Sequence, residues 1–359
     1  MKIIHLIESL SRGGAEIFAC ELACSQKKMG HDIVLVSLFR SQDSAFEKKK
    51  SDELSANGIE THILNFRGSR IKGTLRIRQL LIDLKPAVIN THLQTVTVYA
   101  AAANLFSGIP LVQTFHSINT GYRVLQKVVF SFILNGLISV SDDIDSVLKE
   151  KFNIRHPVSA VIYNGIDTER IAGRQKRENN TVRCIAVGNL TEPKNYSMLI
   201  DVYRKMKESE MNMPHCSIVG DGPLRNEIET AIKQNGLDRY ISLLGYRDDV
   251  PELLSRSDIF IMTSAWEGLS IALIEAVSTG LPAVVTDVGS NHLLVHDKRN
   301  GFLIEPQSSE EFIRHLNQLV TDAELREKMS RESLRISRQF DIDNTSANYI
   351  KFYEKVLDR

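Results

Sequence analysis

The sequence predicts an α/β protein built from two Rossmann-like domains facing across a cleft, on three observations. At 359 residues the chain exceeds one ordinary hydrophobic core. Short apolar runs alternate with helical patterns in both halves, as a doubly wound parallel sheet requires. The alternation stops once, at the polar stretch 174–180, which reads as a linker. In the first half, residues 3–7, 33–38, 88–91, 111–115 and 137–140 read as buried parallel strands, with helices over 15–28 and 75–84. In the second half the strands fall at 182–187, 216–219, 241–243, 259–262 and 283–286. The expected domains are 1–168 and 180–340. The tail, 341–359, is a helical pattern with Tyr349, Phe352 and Tyr353, expected to pack back on the first domain. Such domains take ligands at the carboxyl ends of their strands.

Composition narrows the function. Apolar residues make up 43% and charged residues 25%, as in an ordinary globular protein, and 44 basic residues balance 44 acidic ones. Bulk attraction to nucleic acid is therefore not expected. Cys20, Cys24, Cys184 and Cys216 show no metal-binding spacing and are read as reduced thiols of a cytoplasmic protein. The first eight residues carry Lys2, His5 and Glu8, too soon for a secretion signal, and no apolar run is long enough to span a bilayer.

The candidate site begins with Glu275, a carboxylate in an otherwise apolar helical segment without a nearby cation. Buried and unpaired, it would cost several kcal/mol, about the cost of stripping a charge of water. Glu267 stands where that helix should begin. Two carboxylates in this arrangement suit a ligand rich in hydroxyls, Glu275 taking both hydroxyls of a ribose. The N–H groups around Gly268, Leu269 and Ser270 could hold a phosphate; an ordinary capped helix is the alternative. Gly13 and Gly14 form a strand-to-helix turn that can approach an anion, or simply turn tightly. Asn189 and Lys194 follow the first strand of the second half, and a lysine there suits a pyrophosphate, if it is not merely solvated. His116 ends the 111–115 strand, where it can hydrogen-bond a sugar hydroxyl, move a proton or serve structure. Asp143 and Asp145 suggest a metal site, but Ser141 as a helix cap with acids in the first turn explains them better. Arg67, Arg70, Lys72, Arg76 and Arg78 form a basic stretch that can meet anionic lipid or remain a solvated helix face. The segment 122–135 reads as a core helix or an interfacial one.

Together these residues resemble the family-four glycosyltransferases of the GT-B fold. The resemblance rests on the turn at Gly13, Gly14, Ala15 and Glu16, on His116, on the 164–167 and 220–223 stretches, and most specifically on the Glu267/Glu275 pair. It implies retaining transfer of a sugar from a UDP- or GDP-linked donor, with no cofactor and no metal. Glu275 would hold the donor ribose and Glu267 the transferred sugar. Lys194 and the Gly14 backbone would steady the departing diphosphate, with His116 beside the sugar. Asn189 stands where the family usually has an arginine. The implied acceptor is a glycan on a polyprenyl diphosphate, in bacterial O-antigen, capsule or exopolysaccharide synthesis at the inner face of the cell membrane, with peripheral contact to anionic lipid. An epimerase of the same fold and a non-catalytic sugar-nucleotide-binding protein are the rival expectations.

Overall fold

Apolar four- to six-residue runs with both faces buried become the central strands of two parallel sheets. The computed structural model describes residues 1–66, 70–116, 130, 133–150, 152–154, 156, 158–171 and 181–358. The chain divides into two compact units, one of residues 1–166 with 340–359, the other of residues 167–339.

The first unit contains β1 (Lys2–Ile7), α1 (Gly14–Lys28), β2 (Asp32–Ser37), α2 (Ser44–Ala56), β3 (Glu60–Ile63), α3 (Arg70–Leu84), β4 (Val88–Thr91), α4 (Gln94–Ala103), β5 (Leu111–Phe115), β6 (Gly136–Ser139), α5 (Asp142–Glu150) and β7 (Ser159–Val161). Its sheet order is β3-β2-β1-β4-β5-β6-β7, all parallel. Strand order reverses between β1 and β4, so the loops leaving these strands border the crevice where such sheets bind ligands.

The second unit contains β8 (Arg183–Val187), α6 (Tyr196–Glu208), β9 (His215–Val219), α7 (Arg225–Gln234), β10 (Ile241–Gly245), α8 (Val250–Ser255), β11 (Ile259–Met262), α9 (Ile271–Ser278), β12 (Ala283–Thr286), α10 (Asn291–Leu294), β13 (Gly301–Ile304), α11 (Ser309–Thr321) and α12 (Ala323–Ser337). Its order, β10-β9-β8-β11-β12-β13, has the same reversal, here between β8 and β11.

The final helix, α13 (Ile342–Leu357), returns to the first unit. Asn90 Nδ2 donates to Tyr353 Oη at 2.9 Å and Ser25 Oγ to Asp343 at 2.7 Å. A Cβ on Gly136 would lie 2.8 Å from the Phe352 ring, so glycine lets β6 meet this helix. The crossing at Ile166 is stitched by Ile166 N–H to Phe340 O and Ile342 N–H to Ile166 O. That gives the 164–167 stretch a structural job.

Several expectations need correcting. Strands β3, β7 and β13 lie where no strand was expected, and α3 starts five residues before the expected helix at 75. The cap expected at Ser141 is present: Ser141 Oγ accepts from Ile144 N–H, Asp145 pairs with Lys149 at 2.6 Å and Tyr163 bonds Asp142 at the start of α5. The expected linker at 174–180, Arg67 and most of the 122–135 segment lie outside the described residues. No described helix is long and apolar enough to cross a membrane.

Candidate active site

In the second unit, the loop leaving β8 is fixed by backbone bonds and by glycines. Leu190 is fully buried, its N–H bonded to Asp221 O and its O accepting from Leu224 N–H. Tyr196 Oη donates to Gly188 O at 3.0 Å. Gly220, at the end of β9, has φ +138°, and a Cβ there would sit 2.1 Å from Gly188 O. Only glycine permits that approach.

The loop leaving β11 is sewn to the first. Ala265 N–H donates to Pro193 O at 2.8 Å and Thr263 Oγ1 to Asn195 O at 3.0 Å. This seam brings together two residues 73 apart: Lys194 Nζ lies 2.5 Å from Glu267 Oε1. Ser264 Oγ donates to the same oxygen at 2.7 Å. The two side chains are 22% and 10% exposed, so the ion pair is largely shielded from water yet still reachable. Gly289, at φ +53°, backs the loop from beneath, where a Cβ would come 2.3 Å from Glu267 O. Ser264, Tyr196 and Thr263 were missed in the sequence, because their roles arise from contacts between distant loops.

The segment after Glu267 departs from the expectation of open amides. Helix α9 starts only at Ile271, and Ser270 Oγ already caps Leu273 N–H. Gly268, Leu269 and Ser270 are buried, with Gly268 O accepting from Ser290 N–H. Glu275 is half-buried rather than buried, on the α9 face where Ile271 and Ala272 are also partly open. It also interacts within the protein, so it is no stranded charge. An eight-residue helix with one open face gave a continuous apolar sequence without full burial. Asn189 is exposed on its loop.

In the first unit, α1 begins at Gly14 with Gly13 as an extended cap that uses no side chain. The Glu16 carboxylate folds back over this turn, since a Cβ on Gly13 would meet Glu16 Oε2 at 2.2 Å. The expected anion seat is therefore faced by an acid. Burial, with the nearby Glu8 charge adding to it, pushes the Glu16 carboxyl up to about 7 against the pull of its own amide N–H. A carboxyl raised above its unfolded value favours the folded state only while protonated. Stability should thus fall as pH rises from about 4.5 through 7. Glu16→Gln is expected to stabilise by about 1–3 kcal/mol above pH 7.5 and by little at pH 5. Melting temperatures of the two proteins across that range check this; a constant gap would refute it.

His116 leaves β5 with its Nε2 3.1 Å from His92 Nδ1, the rings stacked at 5.4 Å and Phe18 edge-on at 5.3 Å. Although the residue as a whole is partly exposed, desolvation lowers its pKa to about 3. A ring held that low is neutral at physiological pH and can offer hydrogen bonds but no charge. Among the described residues, no three His, Cys, Asp or Glu side chains gather as a metal site would require.

The sequence model described as "Glycosyltransferase Family 4" matches residues 12–170, and that described as "Glycosyl transferases group 1" matches residues 167–335. The chain belongs to the family-four glycosyltransferases. An Escherichia coli UDP-Gal:alpha-D-GlcNAc-diphosphoundecaprenol alpha-1,3-galactosyltransferase is 29% identical over 70% of this glycosyltransferase and 71% of its own length. A Campylobacter jejuni alpha-1,4-N-acetyl-D-galactosaminyltransferase, named for a diNAcBac-PP-undecaprenol-linked glycan, is 24% identical over 99% of each chain. Anabaena HepE, solved with UDP and glucose, superposes with a TM-score of 0.84 at 22% identity, covering 98% of each chain. The two-unit architecture is thus the GT-B fold of glycosyltransferases.

Proposed function

We propose that this glycosyltransferase moves a sugar, with retention, from a UDP-linked donor to a glycan carried on a polyprenyl diphosphate in bacterial surface polysaccharide synthesis. The observation that carries the reading is the Lys194–Glu267 pair, held at 2.5 Å by two loops at the strand-order reversal of the second unit. The ammonium neutralises the departing diphosphate, where transition-state charge grows. The neighbouring carboxylate accepts bonds from hydroxyls of the transferred sugar. Glu275 takes the ribose hydroxyls. In the first unit, neutral His116 offers a hydrogen bond to a sugar hydroxyl. The leaving phosphate oxygen takes the acceptor's proton, so no protein base is assigned, and neutralisation falls to Lys194 rather than a metal. Exposed Asn189 adds no charge. UDP is favoured because HepE was solved with it and the E. coli relative is named for a UDP sugar; both named enzyme relatives carry undecaprenol in their names.

A panel of UDP- and GDP-sugars tests the reading, with and without polyprenyl-diphosphate-linked saccharides, and NMR assigns the anomer formed. Transfer with retention is expected. Isomerised donor without acceptor would mark an epimerase, and binding without turnover a non-catalytic protein. Glu275→Ala should weaken UDP itself by about 10–100-fold in calorimetry, as loss of charged hydrogen bonds does. Unchanged UDP affinity would remove the ribose assignment.

The reading includes peripheral contact with anionic membrane through the first unit. On α3, Ile71, Leu75 and Ile82 are 75%, 58% and 54% exposed in one stripe, beside Lys72, Arg76 and Arg78. Arg78 donates to Leu105 O at 3.0 Å, joining that stripe to Leu105 and to Phe106, which is 97% exposed. Apolar side chains among cations suit a headgroup layer of negative lipid. Sedimentation with phosphatidylglycerol vesicles, but not with phosphatidylcholine vesicles, is expected, and Phe106→Asp should reduce it. Equal binding to both lipids would contradict the electrostatic part.

A further inference from the structure

Behind His116 runs a string of side chains that the proposed reaction does not use. His92 Nδ1 lies 3.1 Å from His116 Nε2, His92 Nε2 lies 2.9 Å from His5 Nδ1, and His5 Nε2 lies 2.8 Å from Gln26 Oε1. His5, His92 and Gln26 are fully buried, on β1, beyond β4 and on α1 respectively. The imidazoles at the two bonds also lie close ring to ring, at 5.2 and 5.4 Å between centroids. Three histidines are therefore linked end to end from the core of the unit to its strand exits.

A neutral imidazole carries one N–H and one lone pair, so a string of them must point in a single direction. The far end sets that direction. With Gln26 Oε1 as the acceptor, the proton of His5 stands on Nε2 and its Nδ1 is bare, while Gln26 Nε2 stays buried without a described hydrogen-bond partner. His92 must then donate from Nε2 to His5 and accept at Nδ1 from His116 Nε2–H. Asn90 Nδ2 also lies 3.3 Å from His92 Nε2, but its shorter bond, 2.9 Å, goes to Tyr353 Oη.

We propose that His92 is a positioning residue that, with His5 and Gln26, holds His116 in its Nε2–H tautomer and presents Nδ1 as a hydrogen-bond acceptor toward a sugar hydroxyl. Burial keeps the string neutral: desolvation lowers His5 to about 4 and holds His92 well below the usual histidine range. This arrangement resembles what a second partner does for a metal-bound histidine, fixing tautomer and ring angle at once. The assignment of His116 to the sugar rests on the function proposed above. The tautomer assignment does not.

The test is long-range ¹H–¹⁵N NMR of protein labelled at histidine, alongside kinetics. Wild-type His116 is expected with its proton on Nε2. His92→Leu, which removes the acceptor, should convert His116 to a mixture of tautomers and lower kcat about 10–100-fold with donor KM little changed. His92→Asn, whose Oδ1 can stand near the lost Nδ1, should restore the single tautomer and much of kcat. Gln26→Leu, two imidazoles away, should also blur the His116 tautomer, an effect that a merely structural residue would not produce, and it serves if His92→Leu does not fold. An Nδ1–H His116 in the wild type, or a tautomer unmoved in every folded variant that removes an acceptor, would overturn the proposal. Failure of the wild type to transfer sugar would count against the proposed function and leave the NMR result standing.

Discussion

Lys194→Met should reduce kcat/KM by about 10²–10³-fold, the loss typical of removing a group that meets transition-state charge. Methionine roughly keeps the length of the side chain and removes only the ammonium. The variant loses a cation for the diphosphate and also leaves Glu267, 10% exposed, with Ser264 as its remaining described hydrogen-bond donor. A shielded carboxylate stripped of its cation is costly, so a stability loss of about 1–3 kcal/mol should accompany the kinetic one, less than for a fully buried pair. Comparing Lys194→Met, Glu267→Gln and the double variant separates the two effects. If the side chains act as a unit, the double variant will be little worse than the worse single one. Initial rates over a donor series decide how the loss divides. A fall in kcat locates Lys194 in the transition state, a rise in KM alone makes it a ground-state anchor, and an unchanged kcat/KM removes it from the reaction.

Gly220→Ala should be the most damaging single methyl group in the second unit. Its φ of +138° is closed to an ordinary side chain, and the Cβ would lie 2.1 Å from Gly188 O. That oxygen belongs to backbone and also accepts from Tyr196 Oη, so it cannot swing aside. Strain and displacement together should cost about 3 kcal/mol or more. Gly236→Ala is the control. Its φ is +60°, and the nearest atom is the tip of Lys207, which can move. There the cost should be about 1 kcal/mol, the backbone share alone. Thermal melts of both variants check the contrast. Equal shifts would mean that the β8 and β9 exits are not locked together as described. If Gly220→Ala folds at low temperature, its donor affinity should fall too, because the shifted backbone carries Lys194.

Which parts of this structure were legible in the sequence follows from where the information lies. The strands at 259–262 and 283–286 were legible residue for residue, because a central parallel strand buries both faces and is almost wholly apolar, Thr286 being the one polar position of the two. The edge strand β3, with Glu60, Thr61, His62 and Ile63, carries no such run. Strand β13 begins at Gly301, where a Cβ would lie 2.2 Å from Ala283 O. A glycine needed for close packing there looks like a turn in the sequence. Lys194 and Glu267 each announced a chemistry, but their bond depends on Pro193, Asn195, Thr263 and Ala265 sewing two loops together. The burial of Glu275 was overstated, because neighbours in sequence do not reveal which face of a short helix stays open. Nothing in the sequence marked His5 or His92 as partners of His116. Each stands on or just beyond one of the two strands at the order reversal, but only the sheet order shows that these strands adjoin.

The return of α13 to the first unit bears on the order in which the protein can be made. During synthesis the first 166 residues emerge early, yet Asn90, Ser25 and Gly136 meet their partners Tyr353, Asp343 and Phe352 only when the last twenty residues appear. The intervening unit, 167–339, is a continuous stretch and can finish folding first. The half of the protein begun first is therefore completed last, and until then β6 and α1 expose the apolar surface that α13 will cover. A released chain truncated before residue 340 would hold a finished second unit beside an unfinished first one, and chaperones would find their work near the beginning of the chain rather than at its end.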